Sequence, residues 1–159
     1  MDYSGEAGIM SFESELVAEL AAIKVSMDTG IKLVADEVFV NLCENSPSPG
    51  GSGAAGGRDS EYSLGSFVLS HRISGGTADV STTNVGDTMN AMAVAEAHAN
   101  ELPKLASIAP FQDIVIANSI EYNENIEHLW WSAGAGPYHT FQRTEGTMDT
   151  IAQRVLAGI

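Results

Sequence analysis

The sequence is poor in the residues that mark several large classes of protein. Only one of its 159 residues is cysteine, Cys43, so the chain cannot form an internal disulfide and a reducing compartment is the expected place of synthesis. Seven lysines and arginines stand against 21 aspartates and glutamates. Because phosphate binding depends on cations, we expect neither sequence-independent DNA binding nor attraction to an anionic membrane.

Long apolar runs are missing as well. No segment approaches the roughly 18 consecutive apolar residues that a membrane-spanning helix requires. Residues 1–6 lack the basic and apolar segments of a secretory signal, so none is expected. The hydrophobic content of 44% and the length of 159 residues predict a globular chain with a single domain over residues 1–159. The net charge of −14 would repel DNA if an acidic face lined a channel, and an acidic proteome in a salt-adapted host would give the same charge.

The most extended pattern in the chain is an apolar stripe of helical period in its first third. Large apolar residues recur every three or four positions, about 3.7 residues per turn. The stripe stays in phase through Gly30, so we predict one long helix over residues 12–43. The glycine costs about 1 kcal/mol relative to alanine and would allow a bend. The stripe positions are Leu16, Leu20, Ile23, Met27, Ile31, Val34, Val38 and Leu42.

Residues 46–61 separate this helix from the rest of the chain. They contain two prolines, five glycines and four serines. Such a composition cannot bury enough apolar surface to order itself, so a flexible Gly/Ser/Pro-rich loop is predicted.

After this loop the apolar period changes from about 3.7 to 2, which predicts a small sheet. Residues 64–73 alternate as a strand with Phe67 facing inward, Gly75 and its neighbours form a hairpin turn, and residues 77–83 return. Residues 113–117 are apolar on both faces and predict a central third strand.

Three further helices are predicted, over residues 89–101, 120–129 and 147–157. Asp87 or Thr88 would cap the first, and Pro103 would end it. The predicted fold class is therefore α+β, with a long N-terminal helix and further helices packed on a small, mainly antiparallel sheet of three or four strands.

The triplet Asp28-Thr29-Gly30 matches the aspartic-protease motif, in which two such carboxylates share a proton. A homodimer could bring two copies together. That motif belongs on a loop between strands, however, whereas the flanks here are helical. The simpler interpretation is a solvated helix face on which Lys24 and Lys32 lie four residues either side of Asp28.

Other chemical motifs are incomplete. Residues 51–56 fit G-x-G-x-x-G, but a helix precedes and a strand follows, the reverse of a dinucleotide-binding unit. No two histidines have metal-ligand spacing, and Cys43 does not join them. His71 and His98 are interpreted as partly buried structural residues. We therefore predict no catalytic residue, no metal site and no cofactor.

Trp130 and Trp131 are adjacent after a predicted amphipathic helix, so they cannot both face one core. Exposed aromatic residues mark interfaces. Trp130, Trp131 and Tyr138 are therefore the candidate interface residues.

One group of residues carries a family resemblance. Asn118, Tyr122 and Glu127 match a strand–Asn–Tyr–Glu pattern, and Phe67 stands at the aromatic place of an earlier strand. On these residues, residues 12–145 resemble the neck and tail-completion proteins of long-tailed double-stranded DNA phages. The Gly/Ser-rich insertion replaces the family's Asp-Thr-Gly loop motif, and bulky residues stand at 129 and 130 where a glycine is usual.

The resemblance implies a structural, non-enzymatic virion protein, made in the host cytoplasm, at the neck of the particle. Such a head–tail connector or tail-terminator-like protein forms a ring, with six-fold symmetry favoured, that joins the DNA-filled head to the tail. Its partners would be its own copies and the neighbouring connector and tail proteins, with DNA passing through the lumen without tight binding. Two alternatives remain: a homodimeric aspartic-type protease that uses Asp28, and a non-viral protein-interaction domain that uses Trp130 or Trp131.

Overall fold

The computed structural model describes residues 5–48, 64–86, 88–121, 123 and 139–158, with the side chains of residues 5–11 outside that description. Two 3-10 helices, Val68–Ser70 and Leu102–Ser107, accompany the regular elements. The helices and strands of the described part are, in chain order, α1 (Gly5–Asn45), β1 (His71–Gly75), α2 (Ala93–Glu101), β2 (Ile114–Asn118), α3 (Thr140–Glu145) and α4 (Met148–Leu156). The fold class is α+β, as predicted.

Helix α1 is one continuous helix of 41 residues, which confirms that the apolar stripe runs through Gly30 without a break. At 1.5 Å per residue it is about 62 Å long. It ends at Asn45, where the Ser46 hydroxyl donates to the Leu42 carbonyl (2.8 Å) and the Ser46 amide donates to the Cys43 carbonyl (3.2 Å). The chain then stays inside the protein, because Ser46 and Ser48 are fully buried. The rest of the loop predicted over residues 46–61 lies outside the described residues.

The sheet differs from the predicted hairpin. Strand β1 pairs antiparallel with β2, with His71 opposite Asn118 and Gly75 opposite Ile114. The described part of the chain contains no return strand at residues 77–83, and its sheet has two strands rather than three or four. The third predicted strand exists one residue later than expected, but its side chains are mostly half-buried and it is paired on one side only.

Local side-chain hydrogen bonds explain why the hairpin does not form. The Ser70 hydroxyl accepts from the Thr83 amide (2.9 Å) and donates to the Ser66 carbonyl (2.8 Å), and the Ser66 hydroxyl accepts from the Val85 amide (2.9 Å). Side chains therefore satisfy backbone groups that a strand ladder would have used. Residues 64–70, predicted as strand, instead form turns and a 3-10 helix in which Phe67 is N-cap.

Helix α2 begins at Ala93, four residues later than predicted. Its N-cap is Met92, whose side chain makes no capping bond, and the Asn90 side chain accepts from the Met92 amide (2.9 Å). Thr88 is therefore not the cap, and Asp87 lies outside the described residues. The α-helix ends at Glu101, and Pro103 sits at the start of the following 3-10 helix, where its missing amide hydrogen is tolerated.

The core lies between the C-terminal half of α1, β1 and α2. Its buried members are Phe39, Cys43, Val68, Leu69, Ile73, Ala93, Ala97, Leu105 and Ile108. Helix α4 confirms the helix predicted over 147–157, whereas α3 lies in a segment for which no element was predicted. Both pack on α1, and Arg154 pairs with Glu37 between α4 and α1. Within the described residues, no helix combines the length and apolar character that crossing a membrane requires.

Candidate functional site

A buried series of hydrogen-bonded polar side chains joins the end of α1 to both strands. The Ser46 hydroxyl lies 2.7 Å from His71 Nε2, and His71 Nδ1 lies 3.1 Å from Asn118 Nδ2. Ser46 and His71 are fully buried, and Asn118 is 8% exposed. A serine, a histidine and an amide in line are the residue types of a nucleophilic triad, so the direction of each hydrogen bond decides what the group can do.

The orientation of Asn118 fixes those directions. Its Oδ1 accepts from the Ile120 amide (3.0 Å), which can only donate, and its Nδ2 donates to the Phe67 carbonyl (2.8 Å), which can only accept. The second Nδ2 proton therefore points to His71 Nδ1, which must be the unprotonated nitrogen. Consequently Nε2 carries the proton and donates to the Ser46 hydroxyl, which in turn donates to the Leu42 carbonyl.

This polarity is the reverse of the one that catalysis needs. A general base accepts the serine proton, whereas His71 donates to Ser46, and the serine proton is already given to a carbonyl. Burial lowers the pKa of His71 to about 3, with the neighbouring Arg72 guanidinium adding to the effect. Burial also raises the pKa of the nearby Cys43 thiol, which removes it as a nucleophile. The hydrogen-bonded series Asn118–His71–Ser46 therefore has a structural role: it links the end of α1 to β1 and β2.

Three aromatic rings enclose His71 edge-on. Their centroids lie 5.0 Å (Phe67), 5.7 Å (Phe141) and 6.4 Å (Phe39) from that of the imidazole. The structure thus brings together Phe67 and Asn118, two of the residues on which the family resemblance rests: one encloses the histidine and the other orients it. Sequence reasoning missed Ser46, which was assigned to the flexible loop, because nothing local shows that the loop begins inside the core.

A second buried polar cluster surrounds Glu101. Its carboxylate accepts from the Ile73 amide (2.8 Å) and from Lys104 Nζ (2.6 Å), and lies 3.9 Å from the Arg72 guanidinium. Arg72 also donates to the hydroxyls of Ser81 and Thr83, both at 2.8 Å. With its charges paired and its backbone donors satisfied, the cluster joins β1 to α2 and to residues 81–83.

Asp28 lies on α1, not on a loop between strands. Its carboxylate forms an ion pair with Lys32 Nζ (3.1 Å) and accepts from the Phe111 amide (3.2 Å). Hydrogen bonding to Lys32, followed by that to Phe111, holds the pKa of Asp28 below its usual value. The predicted partner Lys32 is confirmed. The ion pair and the lowered pKa favour an ionised carboxylate at Asp28, unlike the two proton-sharing carboxyl groups of an aspartic protease.

Among the described residues, an extended exposed apolar surface lies on residues 12–27 of α1. Every residue from 12 to 27, here called the free half of α1, is exposed, whereas the covered half (residues 28–45) contacts the body of the protein. Seven large apolar side chains of the free half are 44% to 68% exposed. Five of them lie within a face about 100° wide: Phe12, Leu16, Leu20, Ile23 and Met27.

This apolar face continues into a groove beside the covered half. The groove, about 320 Å³, is lined by Ile31, Val34 and Val38 of α1 and by Phe111, Ile114 and Met148 of the body, among others. Phe111 is 51% exposed with a φ of 60°, a left-handed conformation that is unfavourable for an aromatic residue. A strained, exposed aromatic at the end of an apolar stripe is typical of an interaction surface.

The other predicted interface and motif residues, Trp130, Trp131, Tyr138, Tyr122 and Glu127, lie outside the described residues. Among the residues that are described, no three histidine, cysteine, aspartate or glutamate side chains form a group that could hold a metal ion. The apolar stripe on α1 was visible in the sequence, but the exposure of its residues was not.

Comparison of the chain with protein-family models, curated proteins and solved structures finds no match.

Proposed function

We propose that this protein is a structural assembly subunit that associates with other copies of itself through the free half of α1. More specifically, we propose a ring-forming head–tail connector or tail-completion protein at the neck of a long-tailed phage. The observation that carries self-association is the exposed apolar face of the free half. The phage assignment rests on the resemblance of residues 12–145 to that family.

Physical chemistry supports an assembly surface on the free half. An isolated helix is marginally stable in water, because most helical stability in proteins comes from packing an apolar face. Fully burying one leucine, isoleucine or phenylalanine contributes about 1.5–3 kcal/mol. The five residues of the apolar face are 44% to 65% exposed, so covering them contributes roughly half of that value for each, which is comparable with the lower part of an association cost of about 4–15 kcal/mol.

The surroundings of Asn118 are consistent with the family pattern. Asn118 is the last residue of β2, so the strand–Asn part of the pattern has the expected secondary structure. Its side chain holds the Phe67 carbonyl and orients His71. These contacts give the motif residues Asn118 and Phe67 a structural role, as expected of a structural protein.

The charge supports a DNA path without tight binding. Seven cations against 21 carboxylates leave a net charge of −14. Because non-specific proteins bind DNA by neutralising phosphates, a ring of such subunits would repel the duplex weakly and let it pass.

Electron microscopy with a pair of matched variants tests the proposal. At high concentration the wild-type protein should form rings, with six-fold symmetry favoured and an opening wide enough for duplex DNA. Leu20→Glu places a charge on the apolar face and should abolish the rings. Val25→Glu adds the same charge to a 68% exposed residue on the opposite face of α1 and should leave them intact. If the Leu20→Glu variant still forms rings, the free half is not part of the ring interface. If the wild-type protein never forms rings, the connector assignment is contradicted.

A gel-shift assay tests the DNA path separately. The isolated protein should not shift duplex DNA at either low or moderate salt. Tight binding that weakens as salt increases would contradict passage through a repulsive lumen, because such a dependence reports phosphate neutralisation.

A further inference from the structure

We infer that in the free protein the partner of the apolar face is the same face of a second copy, with the two α1 helices antiparallel. The inference rests on the proposed function only in taking the free half of α1 as the self-association surface. Three observations carry it: the spacing of the stripe, the distribution of charge along α1, and the groove at the end of the stripe.

The spacing of the stripe is the same in both directions. Six large apolar residues on one face of α1, from Phe12 to Ile31, are separated by 4, 4, 3, 4 and 4 positions. Two antiparallel helices centred between Ala21 and Ala22 therefore match each of these six residues with one on the other helix. The layers are Phe12 with Ile31, Leu16 with Met27, and Leu20 with Ile23, each occurring twice about the two-fold axis.

Charge selects the antiparallel arrangement over the parallel one. Glu13, Glu15 and Glu19 make the start of the free half acidic, whereas its second part, residues 20–27, carries Lys24 and no acidic residue. Two parallel helices in register would place the three glutamates beside their own copies. The antiparallel pair places the two acidic starts at opposite ends of the contact, each beside the segment that carries Lys24 and the already paired Asp28 and Lys32, and it also opposes the two helix dipoles.

The groove lies beside the outermost matched layer of the pair. In this register Phe12 of one copy reaches Ile31 of the other, at the mouth of the groove that Phe111 and Met148 also line. Two bonds hold this mouth in place: Asp28 accepts from the Phe111 amide (3.2 Å), and Lys32 Nζ donates to the Ile108 carbonyl (2.8 Å). The strained backbone of Phe111 thus presents its ring where the partner's Phe12 arrives.

The pair belongs to the free protein, not to a ring with distinct head and tail sides. Such a ring cannot contain two-fold axes perpendicular to its own axis. Subunits must therefore exchange the α1–α1 contact for ring contacts when they assemble. The pair would keep the apolar face covered until then.

Disulfide trapping tests the register. Leu16→Cys and Met27→Cys are made separately, and the two proteins are mixed under mild oxidation; Cys43 is fully buried and does not interfere. The mixture should form a disulfide-linked dimer, whereas each variant alone should form little, because like positions lie about 16 Å apart along the paired helices. Cross-linking of each variant with itself would indicate a parallel pair, and no cross-link in the mixture would overturn the inference.

Light scattering of the uncross-linked protein provides the second measurement. The wild type should have about twice the mass of a 16.7 kDa chain. Leu20→Glu should reduce it to a monomer, and Val25→Glu should not. If Leu20→Glu abolishes rings but the cysteine mixture does not cross-link, the proposed function stands and the antiparallel pair fails. If the mixture cross-links but no rings ever form, the pair stands without the connector assignment.

Discussion

The two halves of α1 share one helix and one apolar stripe but have opposite surroundings. In the covered half, Phe39, Leu42 and Cys43 are at most 1% exposed and belong to the buried interior. In the free half, Phe12 is 65% exposed and Ile23 is 54% exposed. A stripe of helical period therefore predicts that a helix will be covered, but it does not say whether the cover comes from the same chain or from another.

The two halves differ in exposure because the body of the protein packs against residues 28–45 of α1 and does not reach residues 12–27. The body's contacts with α1 include the ion-paired Asp28 and Lys32, which bond the turn at residues 108–111. Residues 12–27 are exposed on every side. A helix that is apolar over much of its circumference is normally buried, so we expect the free half to be covered by a partner.

The largest contrast should come from the same substitution in each half. Phe39→Ala should lower the free energy of unfolding by about 3–5 kcal/mol, because it empties a fully buried site. Phe12→Ala should lower it by less than about 1 kcal/mol in dilute protein, where that ring is solvated. Urea unfolding of both variants provides the measurement. Equal losses would mean that the two halves are packed alike.

The next largest loss of stability should come from breaking the hydrogen-bonded series Asn118–His71–Ser46, which anchors the covered half. Asn118→Ala leaves His71 Nδ1, the Phe67 carbonyl and the Ile120 amide without their partner, and should cost about 2–4 kcal/mol. Asn123→Ala is the control, since the bond from that side chain to the Asn118 carbonyl is longer, at 3.3 Å. Chemical denaturation that ranks Asn123 as the costlier residue would contradict the structural role given to Asn118.

Acid should weaken the covered half through His71. Burial lowers the pKa of His71 to about 3 in the folded protein, against a usual value of 6.5. Between those values the unfolded chain binds a proton that the folded protein does not. The free energy of unfolding therefore falls as the pH drops below 6.5, by up to about 1.4 kcal/mol per pH unit. His71→Gln should remove this component, so identical pH dependence of unfolding in variant and wild type would contradict a neutral buried histidine.

The smallest effect is expected at the junction of the two halves. Asp28→Asn keeps the shape of the side chain and its bond from the Phe111 amide, and it loses only an ion pair near the surface. The thermal midpoint at pH 7 and the association of the protein should be unchanged. Loss of assembly, or of a hydrolytic activity, in a folded Asp28→Asn protein would instead support the protease alternative.

The sequence predicts the helices of this fold better than its sheet. The α1 stripe extends over many turns, which allows one long helix to be predicted, and α4 is short but strongly amphipathic. The hairpin prediction failed because Ser66, Ser70 and Arg72 bond the backbone and side chains of residues 81–85. These bonds depend on how residues 66–72 and 81–85 are placed in the fold, and no local pattern in residues 64–83 predicts them. The pairing of β1 with β2 joins segments about 40 residues apart and is equally invisible locally.

The candidate site was predictable in part. The residues of the apolar face could be named from their spacing, and Asn118 and Phe67 could be singled out by resemblance. Their contact with each other, and the burial of Ser46 beside His71, could not, because they depend on how α1 meets the sheet. The exposure of Phe12 and its neighbours also needed the structure, since the sequence alone places the stripe in a core.

Hydrogen–deuterium exchange along α1 at two protein concentrations tests most directly whether the free half depends on another copy. Exchange reports the local opening of each segment. Amides of residues 28–45 should be equally protected at both concentrations, because the chain's own body covers them. Amides of residues 12–27 should be protected in concentrated protein and exchange faster on dilution. Equal protection of residues 12–27 at both concentrations would contradict the account.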